Sequence, residues 1–140
     1  MPASFVVGAT GTLQTKEELE QYKTIGTQNY QARAALVKYQ PARPDGSKTL
    51  EYYAENVHDF AWFADKDAII QYDTLQLPSG KIIDAFSYYQ PNGNKEWSNS
   101  LSFVEDAVRR YSEWIGEYPW PVVQAVEGPK NLSSGVWNTP

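Results

Sequence analysis

The sequence predicts an α+β fold: an antiparallel, β-rich segment joined to an amphipathic helix. Three observations carry this. Two apolar runs, 69–77 and 81–90, flank Pro78-Ser79-Gly80, which is a hairpin signal. Trp97, Leu101, Val104, Val108, Tyr111 and Ile115 recur at alternating spacings of four and three, forming one apolar helical stripe. The aromatics are dominated by 10 Tyr and 5 Trp, which favour half-buried sheet faces over an all-helical core.

In chain order, 5–13 reads as a strand interrupted by small residues. Thr15 opens a helix, with Glu18 completing a capping box and Glu17, Glu18 and Glu20 placing negative charge at the positive end of its dipole. The helix is expected to run to about Gln28, weakened at its end by Gly26. Segment 40–48 turns to Pro, Asp, Gly and Ser and is a loop. Segment 49–64 is a strand broken at 56–59. Its first part alternates, with Leu50, Tyr52 and Ala54 on one side and Tyr53 and Glu55 on the other.

After the hairpin, Pro91-Asn92-Gly93-Asn94 is a second turn. The striped helix begins at Lys95 or Ser98, ends near Ile115 and stops at Gly116. Its charged residues Glu105, Asp106, Arg109, Arg110 and Glu113 are expected on a solvated face. Tyr118-Pro119-Trp120-Pro121 is a stiff extended lead-in, because each Pro fixes its own φ and biases its predecessor to extended backbone. Segment 122–127 is a strand of buried type, and 128–140 is loop-like.

Twelve basic residues stand against seventeen acidic ones, a net charge of -5. No basic patch is present to displace counterions from phosphate, so nucleic acid is a poor partner. With no Cys, disulfides, thiolate metal sites and Cys nucleophiles are excluded. No apolar run reaches the length of a membrane span. Met1-Pro2-Ala3-Ser4 is no signal peptide, and Met1 directly before strand-like residues reads as an engineered start. The compartment stays open; a parent exported to the periplasm or cell surface carries its signal upstream.

His58 is the single histidine. A tetrahedral zinc site without Cys needs two or three His plus a carboxylate, so these residues make no metal site alone. No G-x-S-x-G elbow accompanies His58, which reads as a structural residue in an aromatic strand. Asp59, Asp65 and Asp67 lack the Gly and alternating oxygens of an EF-hand loop and read as turn or cap residues. Glu105 and Asp106 are sequence neighbours and do not face each other on a helix. No phosphate-cradling Gly motif occurs. Trp62, Trp97, Trp114, Trp120 and Trp137 admit a sugar-stacking face, although core packing accounts for Trp62 and Trp97.

Three stretches taken together resemble one family. Glu55-Asn56-Val57-His58-Asp59-Phe60-Ala61-Trp62-Phe63-Ala64-Asp65 looks like the A-E-N-V-H-D-F-A-W-x-A-D signature of bacterial members of peptidase family M-one. These are the gluzincin aminopeptidases related to aminopeptidase N and leukotriene A-four hydrolase. Phe5-Val6-Val7-Gly8-Ala9-Thr10-Gly11-Thr12-Leu13 is similar to a strand late in that family's N-terminal β domain. The amphipathic helix followed by Gly116-Glu117-Tyr118-Pro119-Trp120-Pro121 resembles the family's entry into its catalytic domain.

The resemblance implies that 1–64 is the end of an N-terminal β domain and 65–140 the start of a thermolysin-like domain, cut before the zinc motif. It implies a bacterial zinc metallopeptidase, a hydrolase, as parent, with zinc bound by an H-E-x-x-H helix and a further Glu beyond Pro140. This chain would then hold no catalytic residue, no metal ligand and no cofactor. Its partners would be the remainder of the parent and, in the parent, a peptide substrate.

The family's substrate-side loop, whose Glu pairs with the free amino terminus, falls here on Gly135, Val136, Trp137 and Asn138. Gly135 is kept but no Glu follows it, and a neutral residue makes no ion pair with an ammonium. Two other readings stand beside this one: a stand-alone aromatic-rich module binding peptide or glycan, and a structural domain without ligand. If the chain is cut through a domain, the 122–127 strand exposes an unpaired edge, and self-association or strand swapping is expected.

Overall fold

A computed structural model describes residues 1–32, 37–41, 46–55, 57, 60–90 and 99–127. The fold is α+β, built on a three-stranded sheet with one helix packed on each face. Strands β1 (Val6–Ala9) and β2 (Thr12–Leu13) precede helix α1 (Lys16–Ala32). Strands β3 (Tyr52–Tyr53) and β4 (Trp62–Asp65) follow, then the hairpin of β5 (Ile69–Gln76) and β6 (Ile82–Tyr89). Helix α2 (Ser100–Trp114) and strand β7 (Val122–Val126) complete it.

The hairpin forms where the apolar runs place it. Its register runs from Ile69 opposite Tyr89 to Gln76 opposite Ile82. The Gly80 N–H donates to the Leu77 carbonyl at 2.8 Å, and Gly80 has φ +93°. A left-handed turn residue of this kind is what glycine accepts without strain. Alternation then sorts the sheet into two faces. Ile70, Phe86 and Tyr88 face α1, and Leu75 and Ile83 face α2. Burying each of these side chains contributes about 1.5–3 kcal/mol, so they dominate the local energetics.

On the first face, α1 lays Leu19, Tyr22 and Ile25 against Ile70, Phe86 and Tyr88, with Val6 and Leu13 closing the cluster. The rings of Tyr22, Tyr39 and Tyr88 meet edge to face. Asn29 is fully buried and fully used. Its Nδ2 donates to the carbonyls of Val37 (3.0 Å) and Ile70 (2.8 Å), and its Oδ1 accepts from the Val37 N–H (2.6 Å). On the second face, Val108 of α2 packs with Leu75, Leu77 and Ile83, flanked by Tyr118 and Val123.

Strand β1 pairs antiparallel with β4, from Val6 opposite Asp65 to Ala9 opposite Trp62, and β2 pairs antiparallel with β3. The core therefore crosses position 64: β1 and α1 pack onto elements that lie after it in the chain. The alternation read in 49–64 holds, with Leu50 and Tyr52 against the core and Tyr53 exposed.

Several expectations are corrected. Helix α1 continues past Gln28 to Ala32, and Gly26 lies within it against β5. The capping box does not form. The Thr15 hydroxyl accepts from the Glu51 N–H at 3.0 Å, while Glu18 turns to Lys48 Nζ at 2.7 Å. That ion pair is nearly buried, and Lys48 also donates to the Phe5 carbonyl and to the Tyr39 hydroxyl. A buried cation with three acceptors is satisfied, and a surface cap would have left it without its carboxylate. On α2, Tyr111 and Ile115 of the expected stripe are exposed, and the buried face turns instead through Leu101, Glu105 and Val108. Trp62, expected in the core, is 61% exposed on β4. Strand β7 is half-buried along its length and runs parallel to β6, at the edge of the sheet order β5-β6-β7.

Candidate functional site

Besides the Lys48–Glu18 pair, two gatherings of polar and ionisable side chains stand out among the described residues. The first is the seam under α2. On that face of the sheet, Gln71 and Asp73 of β5 stand opposite Ser87 and Ala85 of β6. Helix α2 sets Ser100, Leu101, Glu105 and Val108 onto them, because these positions share one arc of the helix. Ser87 Oγ and Ser100 Oγ hydrogen-bond to each other, and Gln71 Nε2 donates to Tyr89 Oη at 3.3 Å. At the rim, Tyr30 Oη and Ser102 Oγ meet at 3.0 Å.

Glu105, 8% exposed, stands in this seam beside Asp73. Burial, with the Asp73 carboxyl beside it as the second cause, pushes its pKa up to about 8. An isolated buried carboxylate is expensive, whereas a protonated one can donate to its neighbour. Burial and the neighbouring Asp73 carboxyl therefore both favour the protonated form of Glu105. Arg109, on the same helix, opposes the shift, and Asp106 adds to it. Glu105 Oε1 and Gln71 Oε1 are buried with no hydrogen-bond partner among the described residues.

The expectation of a solvated Glu105 is thus overturned, while Asp106 is exposed and paired with Arg109 at 3.0 Å. The signal was available: Glu105 stands four residues after Leu101 and three before Val108, both buried. Chemically, this is a pair of neighbouring carboxyl groups of which Glu105 is pushed toward its protonated form, and no nucleophile stands beside it in the contacts described.

The second place is a cleft of about 160 Å³ between the β1–β4 ladder and the ends of β6 and β7. Gly8, Phe63 and Ala68 line its apolar part, and Asp65, Gln90 and Glu127 its polar part. Gln90 occupies both carboxylates: its Nε2 donates to Asp65 Oδ2 at 2.5 Å, and its N–H donates to Glu127 Oε2 at 3.4 Å. The other Asp65 oxygen accepts from the Asp67 N–H at 2.7 Å, the turn role expected of these aspartates. The cleft includes neither Asp73 nor Glu105.

Gly135, Val136, Trp137 and Asn138 lie outside the described residues, as do His58, Asp59, the turn at 91–94 and Trp97. Among the described residues no group of three or more His, Cys, Asp or Glu is placed to hold a metal ion. No described helix is long and apolar enough to cross a membrane.

Exposed aromatics were the other sequence candidates. Trp62, Phe60 and Tyr53 are more than half exposed, and Trp120 Nε1 donates to the Glu55 carbonyl at 3.3 Å. On α2, Phe103, Tyr111 and Trp114 form a second, outward stripe at helical spacing, with Ile115 exposed just beyond it.

Comparison of the chain with protein-family models, with curated proteins and with solved structures finds no match.

Proposed function

We propose that this chain is a non-catalytic segment of a zinc-dependent aminopeptidase-like metallopeptidase, contributing scaffold at the junction of a β domain and a catalytic domain. The observation that carries the reading is the stretch 55–65, followed in order by the amphipathic helix and Gly116-Glu117-Tyr118-Pro119-Trp120-Pro121. Two structural features support it. The Pro-rich lead-in delivers the chain directly into β7, a parallel strand at the edge of a mixed sheet. The outward stripe of α2 leaves Phe103 (65% exposed) and Trp114 (75%) uncovered, a surface suited to packing against further protein. In this reading 128–140 reaches the substrate side through Gly135, Val136, Trp137 and Asn138. The zinc belongs to the parent, and the missing Glu removes the ion pair that holds a free amino terminus.

The test has two arms. The coding sequence, read past Pro140, is expected to give H-E-x-x-H followed by a downstream Glu; a reading frame without those ligands overturns the proposal. The purified chain, supplied with zinc, is expected to release no product from aminoacyl-nitroanilides, and metal-dependent turnover by pure material also overturns it.

The exposure of Trp62, Phe60 and Tyr53 favours a second reading, an aromatic-rich module for peptide or glycan. A saturable change in Trp fluorescence with one of these ligand classes, lost in Trp62→Ala, distinguishes it from the scaffold reading.

A further inference from the structure

The backbone groups of two strands are finished differently. In β1, the Val7 N–H donates to Tyr22 Oη (2.9 Å) and the Val7 carbonyl accepts from Tyr52 Oη (3.0 Å), so tyrosine hydroxyls close them. Among the described residues strand β7 has such a cover at one carbonyl alone. The Asp84 N–H donates to the Pro121 carbonyl (3.0 Å), and the Glu127 N–H donates to the Tyr88 carbonyl (2.9 Å). These two bonds fix the phase of the parallel ladder: odd-numbered residues of β7 turn their backbone groups to β6, and Val122, Gln124 and Val126 turn theirs outward. Among the described residues the one hydrogen bond to these outward groups comes from Tyr118 Oη, to the Val122 carbonyl at 3.1 Å.

Edges left in this state template pairing, and proteins normally blunt them with Lys, Pro, a bulge or a cover. Val122–Val126 carries no charge, no Pro and no Gly. It also reads almost the same in both directions about Gln124, with Val122 matching Val126 and Val123 matching Ala125. Antiparallel pairing of the strand with itself therefore sets apolar against apolar at every step but the axis, where the uncharged Gln124 meets its own symmetry mate.

We propose that β7 is a self-pairing edge. A second copy of this chain adds its β7 antiparallel about a two-fold axis at Gln124, joining the two sheets into one. Val122 of one copy then exchanges both backbone hydrogen bonds with Val126 of the other, and Gln124 does so with its own symmetry mate. The side chain of Gln124 is held out of the way, its Nε2 donating to the carbonyls of Ala9 (2.6 Å) and Gly11 (3.1 Å). The inference rests on the phase of the ladder and is independent of the peptidase reading, so either can fail alone.

Sedimentation of the full chain over increasing concentration tests it. The mass is expected to rise from 15.9 kDa to twice that value and stop, because an isologous contact uses both edges. Val126→Pro removes an outward N–H while keeping the β6 ladder, and is expected to stay monomeric with an unchanged far-UV spectrum. Gln124→Lys keeps donors for Ala9 and Gly11 but sets like charges across the axis, and is expected to weaken association about fivefold. A chain monomeric at every concentration, growth beyond the dimer, or a dimer that persists in Val126→Pro overturns the proposal. A Gln124→Lys chain that pairs like the parent refutes the register.

Discussion

At position 105 a carboxyl group faces Asp73 across the contact between α2 and the sheet, and burial pushes its pKa up to about 8. In the unfolded chain the same group titrates near 4.5. Between those values the folded state holds a proton that the unfolded state has lost. The sign follows from linkage: this contribution is intact below about pH 4.5 and is lost as pH rises through about 8, at up to about 1.4 kcal/mol per pH unit. Glu105→Gln keeps a donor for Asp73 and carries no charge. It is expected to flatten that slope and to raise stability above pH 8, measured by urea unfolding across the pH range. An unchanged slope in the variant would assign the pH dependence to other groups. The sequence held half of this: spacing put Glu105 in the buried arc of α2, but its partner lies on β5, and no local pattern brings position 73 to position 105.

At the scale of the element, the hairpin was legible because its signals are local: two apolar runs and a turn that needs glycine at φ +93°. Helix α1 was legible in existence but not in length or in the use of Gly26. Read locally, glycine in a helix lowers propensity and marks a weak end. In the fold, a Cβ at position 26 would come within 2.5 Å of the Tyr72 Cβ and 2.7 Å of the Tyr72 backbone nitrogen. Glycine is there because α1 lies directly on the β5 backbone, a close approach that only tertiary structure creates. Two effects compete in Gly26→Ala. Helix propensity favours alanine by about 1 kcal/mol, while overpacking against a backbone that cannot rotate away costs about 1–3 kcal/mol, occasionally more. Contacts this short place the cost at the upper end, so the variant is expected to be destabilised by about 1–2 kcal/mol net. Urea unfolding measures it, and a variant as stable as the parent chain would mean that α1 rides further from β5.

For the whole molecule, the α+β class followed from composition and periodicity, but the placement of β7 did not, since a parallel neighbour is chosen by non-local packing. The same holds for how the chain divides. The resemblance draws a boundary after position 64, yet Val6 and Leu13 share a cluster with Ile70, Phe86 and Tyr88, and β1 pairs with β4 up to Asp65. Tyr22 joins the two sides again, buried between Tyr39 and Tyr88 and bonded to the Val7 N–H. Removing either part would strip apolar surface from the other, so neither retains a closed core by itself. One cooperative transition is therefore expected. Urea unfolding followed by far-UV circular dichroism, which reports both helices, and by Trp fluorescence, to which Trp62 of β4, Trp114 of α2 and Trp120 of the lead-in to β7 contribute, should give superimposable curves. Two separated transitions would mean that the contacts across position 64 are weaker than the cores on either side, and would make that boundary a physical one.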